Sequence, residues 1–165
     1  MDRSLPGGYT KVSVPVFKNG TAETGIESYF TGAMIEELER HGLADVTNED
    51  DSQVVVRGTI QSIRYERGAY QSGDLLTSAG VPDAVLAKEY YINVNAEVKL
   101  IRRSDQKVLW SSTFDGRRLY QAPQITTKGL NSANSLYNHS ARLQNIATMA
   151  KEMMEQAHNH MTENF

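Results

Sequence analysis

Cysteine is absent from the 165 residues of this chain. Disulfides, thiolate nucleophiles and Cys-ligated zinc are thereby excluded among them. The compartment stays open, because a chain without cysteine suits oxidising and reducing spaces alike. Histidine is sparse: His41, His139, His158 and His160. His158 and His160 are two apart, whereas a helical metal pair needs i, i+4 spacing on one face, so the expectation there is a frayed, exposed helix end. No G-x-S-x-G turn exists to present a nucleophilic serine. Gly7-Gly8 precedes a strand pattern and not a helix, so it cannot act as a phosphate loop. No stretch approaches the ~20 apolar residues that span a bilayer. Met1-Asp2-Arg3-Ser4 leads into no apolar segment of a secretory signal, which points to a cytoplasmic chain or to one whose targeting segment has been removed. Basic residues are not in excess either: 17 Lys+Arg against 20 Asp+Glu give a net charge of −3. An anion site must therefore be a local patch. These absences leave an enzyme, a cofactor and a metal centre without support.

What is present is an ordinary globular composition, 39% hydrophobic and 22% charged, in a chain long enough to bury a core as one domain, expected over residues 5–162. Thr10 to Phe17 alternates, with Val12, Val14 and Val16 on one face, and Pro15 marks an edge or a strand end. Thr24 followed by Glu27 forms a capping-box pattern. Ile26, Phe30, Met34 and Leu38, with Ala33 between, then give an amphipathic helix that Gly42 ends. Glu49-Asp50-Asp51 lacks the ligand spacing of a calcium loop and reads as a solvated turn. A second strand starts near Gln53, with Val54, Val56 and Ile60 on one face. From Ile63 and Tyr65 the apolar parity flips, which places a bulge near Gln61-Ser62.

Residues 71–87 form a long excursion that is apolar for a solvated loop: Leu75, Leu76, Val81, Val85 and Leu86 are candidates for partner contact. The third strand, Glu89 to Ile101, faces Tyr90, Ile92, Val94, Ala96, Val98 and Leu100 one way and Asn93, Asn95, Glu97 and Lys99 the other. A turn at Arg103–Gln106 leads to a fourth strand, Lys107 to Tyr120, with Val108, Trp110 and Phe114 inward. A closing helix from about Asn131 to His160 carries Leu136, Leu143, Ile146, Ala150, Met153, Ala157 and Met161 as its stripe, and its methionines read as core filler. The order β-α-β-β-β-α predicts an α+β, two-layer sandwich, with two helices on one face of a four-stranded mixed sheet.

The basic residues are the informative ones. If the third and fourth strands turn at Ser104-Asp105, paired residue numbers sum to about 209, which sets Tyr91 near Arg118 and Ile92 near Arg117. One end of the sandwich then gathers Arg64, Arg67, Lys88, Arg117, Arg118 and Lys128, with loop 71–87 emerging beside them. Arg102, Arg103 and Lys107 cluster at the other end. Arginine forks suit phosphates, so a basic rim beside an apolar loop fits a phosphorylated lipid or an amphipathic partner surface. Pairing with Glu66, Asp74, Asp83 or Glu89 as solvated strand ends is the plainer alternative. Nucleic acid fits less well, because the chain is net acidic, although Tyr65, Tyr70 and Tyr91 could stack bases.

Several segments resemble the LptE family of lipopolysaccharide-assembly lipoproteins. They are Leu5-Pro6-Gly7-Gly8, Val12-Ser13-Val14-Pro15-Val16-Phe17-Lys18-Asn19, Glu23-Thr24-Gly25-Ile26-Glu27, Glu36-Glu37-Leu38 with Gly42, Val54-Val55-Val56-Arg57-Gly58-Thr59-Ile60, and Lys107-Val108-Leu109-Trp110 before Phe114-Asp115-Gly116. The resemblance implies a non-enzymatic protein on the periplasmic side of a Gram-negative outer membrane. It implies a plug in the lumen of the LptD β-barrel, contact with lipopolysaccharide, and a lipid anchor on an N-terminal cysteine that this sequence does not contain. It transfers no lipopolysaccharide-contacting residue by motif; the Arg-rich end is a separate candidate. The competing class is a periplasmic protein-binding scaffold of the TolB-amino-terminal or curli-secretion type, with no lipid ligand.

Overall fold

The computed structural model describes residues 3–68, 88–122, 126–127, 130–131 and 135–163, with backbone alone at 88, 122, 126–127, 130–131 and 135–138. Leu75, Leu76, Val81, Val85, Leu86 and Lys128 lie outside the described residues.

The elements in chain order are β1 (Lys11–Ser13), β2 (Lys18–Asn19), α1 (Ile26–His41), β3 (Asp45–Val46), β4 (Val54–Arg67), β5 (Lys88–Arg102), β6 (Val108–Ala122), β7 (Thr126–Thr127), β8 (Leu130–Asn131) and α2 (Ser135–Thr162). The main sheet runs β3-β1-β4-β5-β6, with β2 also paired to β4, and is six-stranded where four were expected. It is mixed: β1 pairs in parallel with β3 and β4, β2 pairs in parallel with β4, and β4-β5-β6 is an antiparallel meander. β7 and β8 form a separate two-stranded ribbon. The added strands, β2 and β3, are two residues long, too short for periodicity to register.

Pro15 accounts for one of them. It breaks the expected first strand into β1 and β2, both laid along β4, because proline cannot donate to a ladder. The break changes which side chains face inward. Val12 is fully buried, but Val16 is 71% exposed and Phe17 takes the core position instead. The Phe17 N–H donates to Thr31 Oγ1 on α1 at 2.9 Å. Its ring lies so close to Gly58 on β4 that a Cβ there would sit 2.1 Å from it.

The capping box forms only by half. Gly25, in a left-handed conformation at φ 93°, is the N-cap in place of Thr24, and no side chain caps it. The Glu27 carboxylate accepts from the Gly25 N–H at 3.0 Å and from Asn19 Nδ2 at 2.9 Å. Gly42 closes the helix as expected, at φ 61° with its N–H on the Leu38 carbonyl.

The bulge expected at Gln61-Ser62 is present, with pairing shifting between Ile60 and Ser62. A second shift, between Leu100 and Ile101, gives Leu100↔Trp110 but Ile101↔Val108. Leu109 is thus an extra residue, and it corrects two expectations. Val108 turns outward at 47% exposure, and the remaining pairs move by one, so that Ile92 faces Arg118 and Asn93 faces Arg117.

Both helices contribute to one continuous core with the sheet: Ile26, Phe30, Met34 and Leu38 from α1, Ile146, Met149, Met153, Met154 and Met161 from α2, and Ile60, Ile92, Val94, Ala96, Val98 and Leu100 from the sheet. The methionines are core, as read. Gly116 permits the approach of α2, since a Cβ there would meet Met153 Sδ at 2.7 Å. His158 is a correction: it is fully buried, not on a frayed end. It follows Met154 by four residues and precedes Met161 by three, on the same buried stripe.

Candidate functional site

Alternation along β5 sorts the two faces of the sheet. Its even-numbered residues meet the helices, and its odd-numbered residues face away. After the bulge at Gln61, the residues of β4 aligned with that outer face are Ser62, Arg64 and Glu66, paired with Asn95, Asn93 and Tyr91. On β6 they are Asp115, Arg117 and Leu119, paired with Asn95, Asn93 and Tyr91 in turn. No helix among the described residues covers this face. At its centre is a shallow depression of about 560 Å³ lined by Gln61, Ser62, Arg64, Asn93, Asn95, Asp115 and Arg117, with backbone from Val94 and Gly116.

The chemistry of the depression is polar and organised. The Arg117 guanidinium lies 4.0 Å from the centre of the Tyr91 ring and 3.6 Å from the Glu66 carboxylate. The ring face and the carboxylate together restrain the guanidinium at the edge of the depression. Asn95 Nδ2 donates to Asp115 Oδ1 at 2.6 Å. Asn93 Nδ2 is buried with no hydrogen-bond partner, so a donor at the floor of the depression is unsatisfied. Arg64, across the ladder from Asn93, forms no ion pair with any described residue.

The six candidate basic residues therefore separate. Arg64 and Arg117 share the open face. Arg118 points to the helix layer, where its Nε donates to Asn145 Oδ1 at 2.9 Å and its NH1 lies 3.3 Å from Glu152. It ties α2 to β6. Arg67 pairs with Tyr90, which aligns it with the helix side. Lys88 opens β5 opposite Ala122, at the same end of the sheet. The expected pairing is one residue out, because Leu109 is an extra residue in β6, while alternation from Trp110 and Phe114 still puts Arg118 inward and Arg117 outward. The plainer reading is met in part, since Arg117 does pair with Glu66. Sequence reasoning missed Asn93, Asn95 and Asp115 as site residues. The outward set on the third strand was the signal for the two asparagines.

At the opposite end the two arginines of the basic cluster are paired with carboxylates. Arg102 pairs with Asp105 at 2.5 Å and holds its carboxyl well below the usual range. Arg103 pairs with Asp50, and Arg57 pairs with Glu49 at 2.9 Å, so Glu49-Asp50-Asp51 is the solvated turn it resembled. On the helix side, Tyr65 donates to Glu23 at 2.5 Å, and Arg142 lies 3.1 Å from the same carboxylate. Burial, then the Glu23 hydrogen bond, raises the Tyr65 hydroxyl above its usual range. Neither cluster is a cleft with a base beside a nucleophile.

Comparison with solved structures gives the same fold at low identity. A PelC dodecamer from Paraburkholderia phytofirmans is 17% identical, covering 94% of this chain and 91% of that one, with a TM-score of 0.52. A minor lipoprotein from Acinetobacter baumannii is 16% identical, covering 94% of each chain, at 0.53. An uncharacterized lipoprotein B from Nitrosomonas europaea is 14% identical, covering 96% and 84%, at 0.51. No curated protein matches. The family model described as "LptE: Lipopolysaccharide-assembly" matches residues 9–161, from the turn before β1 to the last turn of α2. That match spans every element described above, and the chain belongs to the LptE lipopolysaccharide-assembly family.

Proposed function

We propose that this protein is a non-enzymatic assembly factor that seats in the lumen of an LptD-like outer-membrane β-barrel and assists lipopolysaccharide on its way to the outer leaflet. The observation that carries this reading is the family match over residues 9–161. The open face supports it: a polar, helix-free sheet surface offers the hydrogen-bonding groups that a hydrated barrel lumen can meet. Arg64 and Arg117 are the proposed contacts to lipopolysaccharide phosphates, each an exposed fork able to bind a phosphate through two donors. Arg67, Lys88 and Lys128 are proposed to extend the basic character of that end, and Leu75, Leu76, Val81, Val85 and Leu86 to contact the partner. Arg118 is assigned to holding α2. The proposal places the protein on the periplasmic side of the outer membrane, with a lipid anchor on a cysteine upstream of Met1.

Purification from solubilised outer membranes tests the partner. Recovery of a large β-barrel in equal amount is the expected result, and recovery of the chain alone from intact membranes overturns it. Lipopolysaccharide binding tests the residues. Arg64→Ala with Arg117→Ala is expected to weaken binding about tenfold or more, the scale of one lost charge-assisted hydrogen bond. Unchanged binding removes the site and leaves the family assignment standing.

A further inference from the structure

The last turns of α1 and α2 bring together three side chains that the open face does not use. Glu37 and His41 are four residues apart on α1, which puts them on one side of the helix. His158 of α2 stacks on His41, with ring centres 4.2 Å apart and planes 13° from parallel. Glu37 Oε2 is 3.4 Å from His41 Nε2. One ligand atom from each of the three residues lies within 4.8 Å of the others. Glu37 and His158 are buried, and the His41 side chain is 31% exposed, which leaves a path from solvent. Both ring nitrogens of His158 are buried and neither makes a hydrogen bond of ordinary geometry, the neighbouring Asn159 side chain offering only a weak contact. A fully buried imidazole normally has at least one nitrogen well satisfied, and here neither is.

We propose that Glu37, His41 and His158 bind one divalent transition ion of the zinc class, which fastens the C-terminal end of α1 to that of α2. Two imidazoles and a carboxylate are a donor set for Zn2+ and its neighbours; Ca2+ and Mg2+ prefer oxygen alone. The site also lies where two helix C-termini end, and their partial negative charge favours a cation. A tetrahedral ion with bonds near 2.0–2.1 Å needs donor atoms roughly 3.3 Å apart. Closing to that distance falls to His41, the exposed ligand, which tilts out of the stack so that its lone pair and that of His158 converge. Water completes the fourth position. The competitor is Arg40, whose NH2 sits 2.6 Å from both Glu37 oxygens with its side chain 56% exposed. It can swing into solvent when the ion arrives.

The test uses the whole chain without an affinity tag, stripped with a chelator and titrated with ZnCl2 by calorimetry. Co2+ serves as a spectroscopic probe of tetrahedral geometry. One ion per chain is expected. Tm is expected to rise by roughly 5 °C when free Zn2+ is a hundredfold above its Kd. His158→Phe keeps a ring in the stack and removes both nitrogens, so a folded, metal-free variant with at least a tenfold loss of affinity is expected. His41→Ala, at a partly exposed position, carries the same expectation and serves if His158→Phe does not fold. Arg40→Ala removes the competitor and should tighten binding, an effect that a purely structural role for these side chains does not produce. His139→Ala, on a distant turn of α2, should change nothing. Absence of binding to the unmodified chain, or binding that survives both His158→Phe and His41→Ala, overturns the site.

Discussion

Arg117 and Arg118 are neighbours in sequence and belong to different parts of the molecule. Arg118 reaches into the helix layer and bonds Asn145 and Glu152. Arg117 stands on the open face over Tyr91, with its side chain 59% exposed. The two faces of the sheet differ in the same way throughout. One is a wall of Val, Ile, Ala and Leu sealed by phenylalanine and methionine from two helices. The other carries Arg, Asn, Asp and Glu around a wide depression. The first face holds the fold together, and the second is left available to a partner. Alternation along a strand separates these tasks within one backbone.

Truncations on the two faces should separate most widely. Phe30→Ala in the sealed core should cost about 3–5 kcal/mol, whereas Leu119→Ala on the open face should stay within about 0.5 kcal/mol. Denaturant melts of both variants measure this, and similar losses would mean that something covers the open face in the free protein.

Acid should act on the sealed side next. Burial, and then the neighbouring His41, push His158 down to about 4, while Glu37 and Asn159 pull the other way and Arg3 adds to the lowering. The folded state therefore resists a proton that the unfolded chain accepts near 6.5. This contribution is fully present above pH 6.5, and it is lost as pH falls from there through about 4. Metal-free protein should lose up to about 3 kcal/mol across that window. His158→Phe should flatten the profile, and an unchanged pH dependence in that variant would remove His158 as the cause.

The arginine pair gives the smallest and most direct contrast. Arg118→Ala should cost about 1 kcal/mol through its lost bond to Asn145. Arg117→Ala should leave stability within about 0.5 kcal/mol, because exposed ion pairs contribute little. Lipopolysaccharide binding should respond in the opposite order. If both variants behave alike in both measurements, the division between the two faces fails at this end of the sheet.

Much of this was legible in the residues. The stripe Ile26, Phe30, Met34, Leu38 and the closing Gly42 announce α1. The parity flip after Ile60 announces a bulge, and the Tyr90-to-Leu100 alternation announces a half-buried strand. Each rests on a local pattern of several residues. β2 and β3 are pairs of residues held by β4 and β1, and no local signal of that length exists. The left-handed Gly25 displaced Thr24 as the cap because the Glu27 carboxylate and Asn19 already organise that turn.

The sequence by itself determined which residues avoid water, where α1 ends and which family the chain resembles, because side-chain type and spacing suffice for those. Tertiary structure alone decided which residues of the neighbouring strands meet the arginines. One extra residue at Leu109 turns Val108 outward and shifts every later pair by one, so that Arg117 meets Asn93 and Arg118 meets Ile92. It alone decided that Glu37 and His41 share one corner with His158, which lies more than a hundred residues further along the chain. Packing of one helix end against another makes that contact, and neither helix encodes it separately.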